Sequence, residues 1–278
     1  MTTSDIITRV WGGVLHVKFQ LDPVLATEEC PFYYATLYRN SFLHSSLADL
    51  VQFYKPHLKD PSLGETPNWW FEFEKVPLKW NLPIGLLYDL TTTDSQAEKQ
   101  AWELTLRYHD YPVEYVIPIE PNTNFLKSYW INQLKEACFI LNGSSKLVMN
   151  MSRTETDEFY QAAIHKESVQ YETAFRRLLP SNISSLKNIP IKIYLPLSNK
   201  LIQPVIANVG RKLTLGNLLQ SLIPDLFPSS LMYTVAHPVS HGVVLPIDSP
   251  VVDLYICMKS LDAFLHISIR MIQKSDLD

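Results

Sequence analysis

Two sets of residues in this chain have the types and spacing that could carry chemistry: Lys135 with Cys138, and His237 with His241. A lysine amine can accept an acyl group, a cysteine thiolate can attack one, and two histidines can bind zinc. Pro238 disfavours a helix that carries both histidines. A nucleophilic cysteine needs a partner histidine, and Cys138 fits a small buried residue better. This leaves Lys135, which on these grounds alone is one surface lysine among many.

The sequence carries no motif of a familiar catalytic class. Gly-x-Ser-x-Gly, the Walker loop and His-Glu-x-x-His are all missing. Only 8 glycines stand beside 19 prolines, which argues against phosphate-binding loops and for many strand ends and turns. The three cysteines, Cys30, Cys138 and Cys257, form no metal spacing and suggest no disulfide framework. We therefore expect no catalytic residue, no metal and no cofactor.

Composition and charge describe an ordinary globular chain. Hydrophobic residues make up 46% and charged residues 19%. The net charge of −4 predicts no general attraction to nucleic acid. No apolar run is long enough to span a bilayer, and the N-terminus lacks the pattern of a secretory signal. With unpaired cysteines, these features favour a cytoplasmic location.

Lys135 falls on a predicted amphipathic helix. Its apolar stripe consists of Leu126, Trp130, Leu134, Ala137, Cys138 and Leu141. On a helical wheel Lys135 lies at the border between this stripe and the polar face, so its backbone would be anchored while its amine reaches solvent. Asn142-Gly143 predicts the end of the helix. A second helix is predicted from Thr154 to Leu179, with Ser152 and Glu155 as a capping box.

The first third of the chain predicts a β-grasp unit. Strands are expected at 14–19, 32–38, 69–73 and 102–107, and helices at 42–54, capped by Ser41, and 83–88. This β-β-α-β-turn-β order is that of ubiquitin, although another small α+β sandwich remains open.

The last third repeats that order. The expected strands are 191–195, 201–207, 232–236, 243–245 and 265–271, with Ser198-Asn199-Lys200 as a turn. Thr214 should cap a helix over 215–222, and Ser249 a helix that starts at Pro250.

The predicted fold class is therefore α+β, with two ubiquitin-like domains flanking a helix-rich middle region. The expected boundaries are 1–10 for an N-terminal helix, 11–121 for the first ubiquitin-like domain, 122–188 for the helix-rich region and 189–278 for the second ubiquitin-like domain.

The segment Trp69–Leu90 packs three tryptophans, two phenylalanines and a Pro-x-Gly break into 22 residues. It closely resembles the signature segment of the autophagy protein 5 family. Further blocks that resemble this family are 9–13, 33–42, 189–194, 214–219 and 264–269. The resemblance covers nearly the whole chain and implies the same architecture of two ubiquitin-like domains around a helical region.

The resemblance implies a covalent role for Lys135. The sequence Leu134-Lys135-Glu136-Ala137 resembles the family segment that carries the acceptor lysine for the ubiquitin-like modifier autophagy protein 12, which is joined through its C-terminal glycine. The chain would then be an acceptor and scaffold, not an enzyme. It ends without a Gly-Gly tail, so we expect it to receive a modifier and not to be transferred.

The resemblance also implies partners. The conjugate would bind the N-terminal helix of autophagy protein 16 in a groove and promote ligase-like transfer of autophagy protein 8 to phosphatidylethanolamine. Trp11, Arg39 and Trp70 are the candidate groove residues. Core packing for the tryptophans and a solvated strand end for Arg39 are the alternatives. No small-molecule substrate or nucleic acid is expected.

Contact with the autophagic membrane is a further expectation from the family. The range 122–188 holds eight basic and six acidic residues, and Arg176, Arg177 and Lys187 could face anionic lipid. A solvated helix face is the alternative. We expect a peripheral location at the preautophagosomal membrane. The competing hypothesis for the whole chain is a ubiquitin-like adaptor that binds a helical partner without covalent attachment.

Overall fold

The computed structural model describes residues 2–27, 30–65, 68–92, 101–119, 124–180, 185–196, 200–208 and 210–272. The chain forms two compact units. The first unit is Gly12–Leu126. The second unit combines Met1–Trp11 with Lys127–Asp278, so that most of the N-terminal helix α1 (Thr3–Gly12) belongs with the C-terminal part of the chain.

In the described residues, the first unit is a five-stranded mixed sheet with two short α-helices. Its strands are β1 (Val14–Leu21), β2 (Tyr33–Tyr38), β3 (Trp70–Phe73), β4 (Val76–Leu78) and β5 (Trp102–Arg107), in the order β2-β1-β5-β3-β4. The central pair β1 and β5 is parallel, and the other pairs are antiparallel. Helices α2 (Leu47–Tyr54) and α3 (Ile84–Thr91) complete the unit, with 3₁₀ turns at Leu43–Ser46, Lys55–His57 and Pro61–Glu65.

Alternation along β1 builds the core of this unit. Val17, Phe19 and Leu21 are at most 4% exposed, while His16 and Val14 on the other face are exposed. Tyr54 at the end of α2 is fully buried and donates its hydroxyl to the carbonyl oxygen of Phe19 at 2.8 Å. Tyr54 thereby fixes α2 to β1, because its ring is buried in the core and its hydroxyl has a hydrogen-bond partner.

Two local predictions for this unit are corrected. The tryptophan-rich strand continues into a hairpin with β4, because Glu74 and Lys75 adopt positive φ (45° and 68°) and reverse the chain without glycine. The helix predicted from Phe42 starts as a 3₁₀ turn and becomes α-helical only at Leu47. Ser41 does not cap it, since its hydroxyl donates to the carbonyl oxygen of Tyr38.

In the part of the chain that the structure describes, the helical region of the second unit contains four helices: α4 (Phe125–Asn142), α5 (Lys146–Met149), α6 (Arg153–Ile164) and α7 (Ser168–Arg176). The predicted end of α4 is confirmed, with Gly143 at φ +72° in the left-handed conformation. The single helix predicted over 154–179 is wrong, because Lys166 at φ +60° breaks it into α6 and α7.

The second unit also contains a five-stranded sheet: β6 (Ile191–Tyr194), β7 (Leu201–Ile202), β8 (Ala236–Ser240), β9 (Val243–Val244) and β10 (Leu265–Met271). Its order, β7-β6-β10-β8-β9, is that of the first sheet, and its central pair is again parallel. Helices α8 (Leu215–Leu222) and α9 (Val251–Met258) and a 3₁₀ turn at Gly210–Lys212 accompany it. The α+β class and the two ubiquitin-like domains are therefore confirmed.

Details of the second sheet differ from the sequence prediction. The strand expected at 201–207 stops after Ile202, close to Pro204, whose nitrogen has no hydrogen to donate. The strand expected at 232–236 begins only at Ala236 and continues to Ser240. Met232 lies outside the sheet and is 59% exposed. Thr214 caps α8 as predicted, whereas Pro250 and not Ser249 occupies the cap position of α9. Most of the turn predicted at 198–200 lies outside the described residues.

Candidate functional site

Helix α4, which carries Lys135, is fixed to its own unit by a buried tryptophan. The Nε1 atom of Trp130 donates to the carbonyl oxygen of Leu261 at 2.8 Å, and the ring packs edge-on against Phe159 at 5.0 Å. Leu134, next to the lysine, is 1% exposed. The backbone around Lys135 is therefore held by core packing, as the apolar stripe predicted.

Polar contacts hold the same helix on either side of Lys135. Lys192 on β6 donates from Nζ to Oε1 of Gln133 at 2.7 Å, and Gln203 donates from Nε2 to Oε1 of Glu136 at 2.7 Å. The Lys192 ammonium also lies 3.7 Å from the centre of the Phe264 ring. The position of α4 against the second ubiquitin-like domain is thus set at residues two before and one after Lys135.

Lys135 itself is half-buried, and its amine has no hydrogen-bond or ion-pair partner among the described residues. Lys127, on the same helix, forms an ion pair with Asp157 instead. Four residues beyond Lys135, and so on the same face of the helix, Phe139 is 59% exposed. The site is therefore an ordered helix that presents one unengaged amine next to an exposed aromatic ring.

A buried polar network lies beneath Lys192. His266 on β10 contacts Asp262 through Nε2 at 2.9 Å and the hydroxyl of Tyr194 through Nδ1 at 2.9 Å. Burial by itself raises the pKa of Asp262. The nearby His266 and Lys192 lower it by more than burial raises it, so the pKa of Asp262 lies below its ordinary value. The carboxyl group thus stays charged inside the domain. Sequence reasoning missed this network, because His266 alternates along the strand like an exposed residue.

Two of the other reactive candidates, Cys138 and His241, are engaged in structural hydrogen bonds. Cys138 is fully buried and its Sγ donates to the carbonyl oxygen of Ser144 at 3.3 Å. His241 contacts the carbonyl oxygen of Met258 through Nε2 at 2.9 Å, in a turn after β8. Within the described ranges, no group of three His, Cys, Asp or Glu side chains could hold a metal ion.

Lys166 has unusual acid–base behaviour. Burial of its amine lowers its pKa to about 7, although the residue as a whole is only half-buried. The pKa follows the burial of the amine and not that of the whole side chain, because only the charged end loses hydration. The sequence pattern did not indicate this burial, since it predicted one continuous helix through Lys166, where the backbone adopts a positive φ. An amine so enclosed is a poorer acceptor than one that reaches solvent.

The three candidate groove residues each have contacts within their own unit. Arg39 is 9% exposed and forms an ion pair with Asp89 on α3, so it is a buried cation and not a solvated strand end. Trp70, also in the first unit, donates from Nε1 to the carbonyl oxygen of His109 at 3.0 Å. Trp11 belongs to the second unit, where its ring packs edge-on against Tyr171 at 5.2 Å.

The three basic residues proposed to face lipid differ in their surroundings. Arg177 donates from NH2 to Oε1 of Glu155 at 2.6 Å. Lys187 lies beside Gly143, at the carbonyl end of α4, where a cation is favoured. Arg176 is exposed and has no ion pair in the described part of the chain. None of the described helices combines the length and apolar character needed to cross a bilayer.

Two β-grasp sheets with one strand order, joined by a helical region, define a tandem ubiquitin-like protein. Three family models match the chain: Autophagy protein ATG5, UblA domain, at residues 10–108; its alpha-helical bundle region at 123–181; and its UblB domain at 188–269. The chain belongs to the autophagy protein 5 family, and its role lies in autophagy.

Relatives match over nearly their full length. Autophagy protein 5 of Pichia angusta is 72% identical over 276 residues, covering 99% of this chain and 100% of the relative. Autophagy protein 5 of Aspergillus fumigatus is 31% identical, covering 98% and 96%. The crystal structure of Kluyveromyces marxianus Atg5 is 25% identical, covers 96% of this chain and 100% of its own, and superposes with a TM-score of 0.82.

Proposed function

We propose that Lys135 accepts the C-terminal glycine of autophagy protein 12 through an isopeptide bond. The neutral amine attacks the carbonyl carbon of the thioester that links the modifier to its conjugating enzyme. The new C–N bond forms, the C–S bond breaks, the enzyme thiol leaves, and the amine loses one proton. This chain supplies the nucleophile and its platform, and it acts as an acceptor and scaffold without catalysing the transfer.

The observation that carries this proposal is the contrast between two lysines on α4. Lys127 is held by Asp157, whereas the amine of Lys135 has no partner among the described residues and stands on a helix fixed at Trp130, Gln133 and Glu136. An acceptor amine has to enter a conjugating enzyme's active site, so it must be free while its backbone stays ordered.

In the proposed pathway, the conjugate binds the N-terminal helix of autophagy protein 16 and promotes ligase-like transfer of autophagy protein 8 to phosphatidylethanolamine. The site of action is cytoplasmic and peripheral, at the preautophagosomal membrane where autophagosomes form. Of the basic residues considered for lipid contact, Arg177 is paired with Glu155, whereas Arg176 and Lys187 are exposed and have no ion pair in the described part of the chain.

The test is a reconstituted conjugation reaction with autophagy protein 12, its activating and conjugating enzymes and ATP, followed by tryptic mass spectrometry. The wild-type chain should yield a branched peptide at Lys135. Lys135→Arg keeps the charge and removes the amine, and should abolish the conjugate. Lys127→Arg on the same helix is the matched control and should react like the wild type.

A conjugate that persists in Lys135→Arg, with the branch at another lysine such as Lys166, would overturn the site and keep the function. If no conjugate forms while the same enzymes modify the Pichia angusta relative, the covalent role is wrong. The chain would then be a ubiquitin-like adaptor that binds a helical partner, the second candidate.

A further inference from the structure

Strand β2 forms an open edge of the first sheet. The order β2-β1-β5-β3-β4 gives β2 a neighbour on one side only. It runs for six residues, Tyr33–Tyr38, and contains no proline, no glycine and no charged residue. Natural sheets seldom leave such an edge unprotected, because its backbone groups can pair with another strand.

The other three sheet edges are each protected. Strand β4 has three residues with Pro77 in the middle. Strands β7 and β9 have only two residues each. Short edges and prolines are the usual means of preventing strand addition. Among the four edges, β2 alone keeps the length and composition that permit pairing.

Backbone geometry identifies which groups of β2 are free. The nitrogen of Arg39 donates to the carbonyl oxygen of Gly13 at 2.9 Å, just beyond the pair Val14 and Tyr38. Since bonded pairs alternate in an antiparallel ladder, the N–H and C=O groups of Tyr34 and Thr36 point away from β1. No other backbone group within the described ranges bonds to them.

The side chains of β2 are also left incompletely covered. On the core face, Tyr33, Ala35 and Leu37 are only half-buried, whereas Phe19 and Val17, which lie opposite Tyr33 and Ala35 on β1, are almost fully buried. The Tyr33 ring packs edge-on against Phe53 of α2 at 5.0 Å. On the outer face, Tyr34 is 67% and Tyr38 43% exposed. One additional strand would complete the burial of the core-face row.

We infer that β2 binds an extended peptide segment of a partner protein, which adds to the sheet as a sixth strand. The partner segment has apolar side chains at alternate positions and no charge at its centre, since the edge itself is uncharged. A six-residue edge is about 20 Å long. It cannot supply the roughly 800 Å² per partner of a stable interface between two folded copies, which favours a linear segment. The binding of a peptide to β2 does not depend on a role for Lys135.

The probe is a phage-displayed library of random twelve-residue peptides, selected against the full chain. Enriched peptides should alternate apolar and polar residues. Thr36→Pro removes an outward N–H and leaves the bonds to β1 in place, so it should weaken their binding about tenfold or more. Thr36→Val keeps the N–H and serves as the matched control, with affinity near wild type.

Hydrogen exchange keeps the test decisive even if Thr36→Pro does not fold. In the wild-type chain, a bound peptide should slow exchange of the Tyr34 and Thr36 amides, and leave the Leu37 amide, already bonded to β1, unchanged. Unaltered exchange at Tyr34 and Thr36, or enriched peptides that bind Thr36→Pro as well as wild type, would overturn the inference. So would a dimer in sedimentation that Thr36→Pro dissociates, because the occupant would then be a second copy.

Discussion

Lys192 on β6 donates from Nζ to Oε1 of Gln133 on α4 at 2.7 Å, two positions before Lys135. The lysine is 8% exposed and also lies over the Phe264 ring. A single buried cation therefore links the second ubiquitin-like sheet to the helix that presents the proposed acceptor. Helix α4 and the second ubiquitin-like sheet therefore belong to one compact unit.

Replacing that cation should loosen the helix without removing the acceptor. Lys192→Met keeps most of the chain length but loses the charged hydrogen bond and the cation–π contact, and should cost about 2–3 kcal/mol of unfolding free energy. Urea unfolding checks this. Lys146→Met, at an exposed position, is the control and should stay within about 0.5 kcal/mol of wild type. Equal midpoints for both variants would contradict the role given to Lys192.

Arg39 should behave as a structural residue. It is buried with Asp89, so Arg39→Met leaves an uncompensated carboxylate and should destabilise the first unit by about 3–5 kcal/mol. Arg39→Met combined with Asp89→Leu removes both charges and should recover much of the loss. Thermal unfolding of the two variants and the wild type provides the measurement. If Arg39 served only to contact a partner helix, Arg39→Met would melt like the wild type.

Stability should depend on pH through the cap of α6. Glu155 accepts from the backbone N–H of Ser152 and from Arg177, and these contacts lower its pKa from 4.5 to about 2. A depressed folded-state pKa means that the contribution is complete above about pH 4.5 and is lost as pH falls towards 2. Glu155→Ala should therefore be less stable than wild type at pH 7, and the difference should shrink across this window.

Urea midpoints for both proteins at pH 7, 4, 3 and 2 test that sign. A difference that stays constant from pH 7 to 2 would show that the carboxylate charge has no part in the cap. Ser152→Ala removes the other half of the capping box and should cost about 0.5–2 kcal/mol at neutral pH.

Gly216 in α8 should tolerate no side chain. A Cβ there would lie 2.2 Å from the carbonyl oxygen of Ser230 and 2.7 Å from the Ile247 side chain. Because a backbone atom cannot simply move aside, Gly216→Ala should cost about 1–3 kcal/mol or more. Gly12→Ala is the matched control, since its Cβ would meet no atom within 4 Å and should be neutral or slightly stabilising. Equal melting temperatures would contradict the close approach.

The sequence predicted correctly the elements that depend on local periodicity and capping residues. It did not predict the turns whose backbone conformation depends on contacts with distant parts of the chain. The strand at 265–271 and the cap at Thr214 follow local rules, and both are confirmed. The hairpin at Glu74 and Lys75 was missed because its left-handed residues are not glycine. The break at Lys166 was missed for the same reason, and there the helical period continues across the turn.

At the candidate site, too, the local features could be predicted from the sequence and the long-range contacts could not. The apolar stripe placed Lys135 on the border of α4 correctly, because a helix face depends on neighbouring residues alone. Which lysine amines find a partner depends on residues far along the chain, such as Asp157 for Lys127. The burial of Arg39 with Asp89, fifty positions away, was likewise invisible in the linear order.

The placement of α1 has a consequence for synthesis on the ribosome. Trp11 packs against Tyr171, and the whole first unit lies between them in the chain. At ordinary elongation rates of about 5–20 residues per second, α1 waits roughly 10–30 s for the ring that covers its tryptophan. The first ubiquitin-like domain can fold during that interval. A nascent chain whose residues up to 126 have left the ribosome, but whose Tyr171 has not, would therefore carry a finished domain preceded by an uncovered aromatic helix, the kind of segment that chaperones bind.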